Sequence, residues 1–242
     1  MILAAGLGTR LKPLTDSMPK ALVPVSGQPL LYHLIMRLRN AGYTRLVVNV
    51  HHFGQQIIDY LAANGNFGLD ISISDERSEL LDTGGALKQG LPMFSAESPV
   101  LVHNVDILSN VDLALFYEQA AAAAADALLL VGHRRTSRHL LFDEHRQLCG
   151  WSNDDKGLLR LASPDLDASR LQRLAFSGIH VVRPQVAALM QSMPSRFGIF
   201  DFYMRYCHQL SIQGHVKSDL RMLDVGKLDT LAEAEAFLAD SI

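Results

Sequence analysis

The chain opens Met1-Ile2-Leu3-Ala4-Ala5-Gly6-Leu7-Gly8-Thr9-Arg10-Leu11-Lys12-Pro13-Leu14-Thr15-Asp16-Ser17-Met18-Pro19-Lys20. Met1 to Ala4 reads as the end of a short apolar strand, and the glycines at 6 and 8 break it, letting backbone approach a ligand closely. Arg10, Lys12 and Lys20 then fall within eleven residues. A strand running out into a glycine loop presents N–H groups able to hold a polyphosphate, and nearby cations complete the counter-charge. Two glycines alone also serve an ordinary tight turn. Two familiar phosphate loops are excluded: Leu11 stands where a dinucleotide fingerprint needs its third glycine, and no Gly-Lys-Ser/Thr ending is present. What remains reads as a nucleotide-phosphate loop of another kind.

The 242 residues, 48% hydrophobic and 19% charged, suit a single soluble domain spanning 1–242. A net charge of −3 provides no basic field for nucleic acid or an anionic membrane, so phosphate binding has to be local. No apolar run reaches the roughly 18 residues of a membrane span, and the chain begins on its first strand without a charged leader, so a cytoplasmic location is expected. Cys149 and Cys207 are not in a C-x-x-C spacing and read as packed thiols.

Further along, Leu30, Leu31, Leu34, Ile35 and Leu38 recur at helical spacing over 30–40, and Arg45–Val50 is a short β-branched run, giving a strand–helix–strand unit. A helix is expected over 55–63, a strand over 69–74 and a helix from Thr83 to Gly90. In Pro99–Asp106 four apolar residues give way to polar ones, which puts Asp106 beside the loop at the ligand-binding end of a parallel strand. A strand-ending Asx turn or helix N-cap is the other use of such an aspartate. The alanines at 120–125 extend a helix, and 127–131 is a buried strand. Between 132 and 172 the pattern is irregular: His133-Arg134-Arg135, Arg138-His139 and His145-Arg146 read largely as a solvated hairpin face, and no histidine spacing fits a metal site. A strand at 176–182, helices at 184–193 and 200–210, a strand and turn at 221–226 and a helix at 228–238 complete the reading.

The opening stretch closely resembles the signature L-A-A-G-x-G-T-R-x-x-P-L-T-x-x-x-P-K of the sugar-1-phosphate nucleotidyltransferases. Lys20-Ala-Leu-Val-Pro-Val25, Thr83-Gly84-Gly85-Ala86, Phe176-Ser177-Gly178-Ile179 and Asp224-Val225-Gly226 resemble four further family segments, in the family's order. The resemblance implies a Rossmann-like three-layer α/β/α sandwich with a mostly parallel mixed sheet, and a sugar-binding subregion at about 132–182. It implies Mg²⁺ on Asp106 and Asp224, and Arg10 and Lys20 on the triphosphate as the catalytic pair. Leu3, Ala4, Ala5, Gly6, Gly8, Thr9, Arg10, Thr83, Gly84 and Asn104 become the nucleotide contacts, and Asn153, Lys156 and Gly178 the sugar-phosphate contacts. A nucleoside triphosphate and a sugar 1-phosphate are the implied partners of a monomer or homodimer.

Phe53-Gly-Gln-Gln-Ile57, Asn66-Phe-Gly-Leu69, Asp82-Thr-Gly-Gly85 and Leu231-Ala-Glu-Ala-Glu235 are most similar to the N-acetylmuramate-1-phosphate uridylyltransferases of cell-wall recycling; mannose-1-phosphate guanylyltransferases come next. The chain's length leads to the expectation that the acyltransferase or β-helix extension of some relatives is absent, and its first strand reads as a few residues shorter than the family's usual opening. Three positions depart from the family: Val105 replaces the glycine before the first metal aspartate, Lys227 stands where Thr or Ser is common, and Asn153 and Lys156 are approximate counterparts of a Glu-x-Lys pair. Val105 and Lys227 would suit a catalytically silent sugar-nucleotide sensor or a regulatory subunit; Arg10, Lys20, Asp106 and Asp224 together argue for an enzyme, because a binder has no need of both metal carboxylates.

Overall fold

The computed structural model describes residues 1–240. In chain order the elements are β1 Ile2–Leu3, β2 Pro24–Val25, β3 Gln28–Pro29, α1 Leu30–Asn40, β4 Arg45–Val50, α2 Gly54–Ala63, β5 Asp70–Asp75, α3 Asp82–Gly90, β6 Val100–Asn104 and β7 Ile107–Ser109. There follow α4 Leu113–Ala122, β8 Ala127–Gly132, β9 Arg138–Phe142, β10 Leu148–Asn153, β11 Leu158–Leu161, β12 Gln172–Val182, α5 Val186–Met190, α6 Ile199–Tyr206, β13 Ile212–Val216, β14 Met222–Asp224 and α7 Asp229–Ala239. They fall into two compact units, neither continuous in sequence: Met1–Asp82 with Val102–Phe116 and the chain from Arg221 on, and Thr83–Leu101 with Tyr117–Leu220.

The first unit is a parallel α/β layer. Short β1 lies between β4 and β6, with Ile2 opposite both Val48 and His103, and β4 continues in parallel to β5. Being covered on both faces, β4 is apolar almost throughout, as buried parallel strands are. Helix α1 buries Leu30, Leu31, Leu34, Ile35 and Leu38, the stripe its spacing predicts. A satellite cluster under the opening loop joins Leu11, Val23, Val25, Leu108, Val225 and Ala234, with Leu231, Phe237 and Leu238 of α7 packed on it. That cluster ties the two ends of the chain beneath the loop.

The second unit is mainly antiparallel. Strand β12 pairs with β8 and with β9, the ladder β9–β10–β11 continues antiparallel, and β13 runs parallel to β8. The Rossmann-like α/β class expected from the sequence is borne out. Its details differ in places. The helix expected through the alanine run stops at Ala122, because the Arg183 guanidinium takes the carbonyls of Ala121, Ala123 and Ala125 and so supplies the C-terminal acceptors with donors. The helix expected over 200–210 ends at Tyr206, where the N–H groups of Gln209 and Leu210 both fold back on the Tyr206 carbonyl. Strands β7, β11 and β13 went unforeseen. Each has at most five residues, too few for a period to show. Cys149 and Cys207 are buried free thiols, and no helix among the described residues is long and apolar enough to cross a membrane.

Candidate active site

The opening loop is built on backbone bonds. Gly8 sits at φ +63°, and its carbonyl receives both Leu11 N–H at 2.8 Å and the Thr15 hydroxyl at 2.8 Å. A Cβ at Gly8 would come within 2.8 Å of Thr15 Cγ2, so glycine is required there by space as well as by φ. Thr9 begins the single turn Thr9–Leu11. Behind it, Leu3 O accepts Val105 N–H at 3.1 Å, and Ala4 N–H donates to Asn49 Oδ1 at 2.6 Å. Gly6 has open space where a side chain would lie.

Four of the predicted site residues meet at this loop. Lys20 begins a turn at 20–22 and has only 9% of its side chain exposed. Its ammonium contacts Asp106 Oδ2 directly and lies 3.9 Å from Asp224 Oδ1. The Arg10 guanidinium stands 3.9 Å from Asp224 Oδ2 and is largely exposed. Topology explains the convergence: Asp106 lies in the turn from β6 into β7, β7 pairs antiparallel with β14 so that Ile107 faces Asp224, and Val225 N–H donates to the Asp106 carbonyl at 2.9 Å. Gly226 leaves room for this arrangement, since a Cβ there would stand 2.7 Å from Asp224 Oδ1 and 2.8 Å from Arg10 Nη2. Two carboxylates and two cations are thus held at the mouth of a glycine loop.

Beneath the loop is a buried network the sequence reading missed. Asn49 Nδ2 donates to Glu76 Oε1 at 2.8 Å, Leu81 N–H donates to Glu76 Oε2 at 3.3 Å, and His51 Nδ1 lies 2.6 Å from the Glu76 carbonyl. Burial raises the Glu76 carboxyl above the ordinary carboxylate range, against the pull of the Asn49 and Leu81 donors. Through Asn49 this carboxyl fixes where the loop leaves β1. The available signal was Asn49, a polar residue inside an otherwise apolar strand.

Of the remaining predicted residues, Ala5 and Asn104, the latter at the end of β6, belong to the first unit, and Thr83, Gly84, Asn153, Lys156 and Gly178 to the second. Thr83 Oγ1 accepts Ile199 N–H at 2.9 Å, and Gly84 N–H donates to Phe197 O at 2.9 Å. A Cβ at Gly84 would stand 2.3 Å from the Phe197 ring, so the first turn of α3 is locked onto that residue. Asn153 ends β10 opposite Arg138 of β9, and its buried Oδ1 has no hydrogen-bond partner among the described residues. Gly178, at φ +80°, lies where the β12–β8 register shifts between Phe176 and His180. Lys156, in the turn after β10, is exposed.

The sequence profile of the nucleotidyl transferase family matches residues 1–142. An N-acetylmuramate alpha-1-phosphate uridylyltransferase of Caulobacter vibrioides is 34% identical over 100% of this chain and 97% of its own. One from Neisseria meningitidis is 32% identical over 98% and 96%. Among solved structures, HddC from Yersinia pseudotuberculosis superposes with a TM-score of 0.78 at 22% identity, covering 98% of this chain and 97% of its own, which bears on the fold alone. A phosphate-type loop faced by paired carboxylates and cations, together with full-length relatives above 30% identity, places this chain in the nucleotidyl transferase family, as an enzyme of the sugar-1-phosphate nucleotidyltransferase type.

Proposed function

We propose that the protein transfers a uridylyl group from UTP to N-acetylmuramate 1-phosphate, giving the UDP-sugar and pyrophosphate, with Mg²⁺ as cofactor. The observation that carries the reaction is the meeting of Lys20, Arg10, Asp106 and Asp224 at the glycine loop. The choice of substrate rests on the two full-length relatives, both uridylyltransferases of that sugar phosphate. A mannose-1-phosphate guanyltransferase of Gibberella zeae matches only 46% of the chain.

The reaction joins two anions, whose repulsion at short range in a partly desolvated site is on the order of several kcal/mol. The site therefore has to position and neutralise more than it has to move protons. N–H groups of the Gly6–Gly8 loop would bind the triphosphate, and Arg10 would reach it from the exposed rim. Lys20, beside the two carboxylates, would stabilise charge on the α-phosphate and the leaving pyrophosphate. Asp106 and Asp224 fit Mg²⁺: they are oxygen donors, they already share one cation in Lys20, and Asp224 is 45% exposed, leaving room for water ligands. When bound, Mg²⁺ would neutralise phosphate charge and orient the two substrates. Thr83, Gly84 and Asn104 are assigned to the nucleoside, and Asn153, Lys156 and Gly178 to the sugar phosphate in the subregion 132–182.

Pyrophosphate release measured across UTP, GTP, CTP and dTTP against N-acetylmuramate, mannose, glucose and N-acetylglucosamine 1-phosphates tests this reading. The expected result is one dominant combination, UTP with N-acetylmuramate 1-phosphate, abolished by EDTA and restored by Mg²⁺. A GTP–mannose maximum would replace the substrate assignment. Nucleotide binding without any turnover would replace the enzyme by a silent sensor.

A further inference from the structure

Lys20, Arg10, Asp106 and Asp224 all belong to the first unit. The Lys20 ammonium is bonded to Asp106 Oδ2 and stands 3.9 Å from Asp224 Oδ1, so one cation serves both carboxylates. Arg10 Nη2 lies 3.9 Å from Asp224 Oδ2. The two cations are placed differently. Arg10 is largely exposed, and solvent competes for its charge, whereas Lys20 is almost wholly buried and bonds a carboxylate directly.

The root of the Lys20 side chain is fixed. Lys20 opens the turn 20–22, where its carbonyl receives Val23 N–H at 3.1 Å. A Cβ at Gly8 would come 3.1 Å from Lys20 Cβ, which places that root against the glycine loop. From there a flexible four-carbon stem carries the ammonium to the carboxylates. The charged end can change partners while the backbone stays where it is.

Two carboxylates and two cations cancel. A bare divalent ion added to them would leave the full charge of the metal unbalanced. It would also need carboxylate oxygen in its own shell, at about 2.0–2.1 Å for Mg²⁺, and Lys20 already holds one of those oxygens. An ammonium and a divalent ion on the same oxygen repel strongly in a partly desolvated site. The phosphates of a nucleoside triphosphate bring the missing negative charge and offer the ammonium another partner. We propose that Lys20 is the resident counter-cation of Asp106 and Asp224, excludes free divalent metal from them, and gives them up only when nucleotide phosphates arrive. Metal and nucleotide are then coupled ligands, each raising the affinity of the other. This rests on the magnesium and nucleotide assignments above and adds the condition under which the carboxylates accept metal.

The test uses Mn²⁺ as a probe, with binding to the full-length protein followed by electron paramagnetic resonance in the absence of nucleotide. Lys20→Met should bind Mn²⁺ about tenfold or more tightly than the native protein, a size usual for coupled sites. Lys20→Arg keeps the charge and should bind no more tightly than native. Adding Asp106→Asn to Lys20→Met should remove the gain, and Arg10→Met, which takes an exposed cation from the same cluster, should give a clearly smaller one. Circular dichroism checks each fold, and Lys20→Gln supplies the same comparison if Lys20→Met does not fold. Equal Mn²⁺ affinity in the native protein and Lys20→Met, or a gain matched by Arg10→Met, would overturn the proposal while leaving the metal assignment intact. No protein-bound Mn²⁺ in any variant, with UTP present as well as without it, would overturn that assignment and this inference with it.

Discussion

The two units differ in how tightly they gather their charges. In the first, Lys20, Arg10, Asp106 and Asp224 neutralise one another across a few ångströms, and the buried Glu76 is tied to Asn49 and Leu81. In the second, the ion pairs Arg160–Asp201 and Arg173–Asp154 lie on the surface, and among the described residues Arg134, Arg135 and Arg138 form no ion pair and the buried Asn153 Oδ1 has no hydrogen-bond partner. A site that must repeat the same phosphate chemistry is internally balanced before substrate arrives.

The sharpest way to break this comparison is Lys20→Ala. Removing a preorganised charge at a transferring phosphate costs about 10²- to 10³-fold in turnover, so kcat for pyrophosphate release should fall by that order while circular dichroism stays native. Near-normal kcat would mean that the balanced cluster is structural. A smaller effect is expected from Gly84→Ala in the second unit. The added methyl meets the Phe197 ring at 2.3 Å, and overpacking of this kind costs about 1–3 kcal/mol, read as a lower urea midpoint.

How far all this could be read beforehand follows the same division. The first unit was legible because its chemistry lies in contiguous motifs and its strands in apolar runs: α1 and β4 have the bounds their patterns predict, and Asp106 is beside the loop. What escaped was Glu76, since nothing local marks one acidic residue as the buried partner of Asn49, and β7, whose three residues have meaning only as the partner of β14. The second unit was less legible because antiparallel pairing is set by residues far apart in sequence. Arg183 ending α4 is one case, and Phe176 O receiving Arg134 is another; the basic cluster at 133–138 read as a solvated face.

Two further measurements sharpen the contrast at smaller amplitude. His103, on β6 of the first unit, is fully buried, and burial lowers its imidazole from 6.5 to about 3, so the folded state holds it neutral where an unfolded chain would protonate it. Its contribution is complete above pH 6.5 and is lost as pH falls from there toward 3, by at most about 1.4 kcal/mol per pH unit. Urea unfolding at pH 7, 6 and 5 should show that slope, and His103→Leu should flatten it; an unchanged slope would remove His103 from the account. The smallest effect is expected from Arg160→Ala, which breaks the Arg160–Asp201 pair on the surface of the second unit, where both side chains are about half exposed. Such pairs contribute about 0–1 kcal/mol, so its urea midpoint should stay near that of the native protein, and a large drop would show that exposed charges there do support the fold.

The central claim, that the balanced cluster activates the α-phosphate of UTP toward a sugar phosphate, is tested most directly by following labelled phosphorus. With UTP labelled separately at the α and γ positions, N-acetylmuramate 1-phosphate and Mg²⁺, the α label should appear in the sugar nucleotide and the γ label only in pyrophosphate. Transfer of the γ label to the sugar, or retention of both labels in UTP, would contradict it.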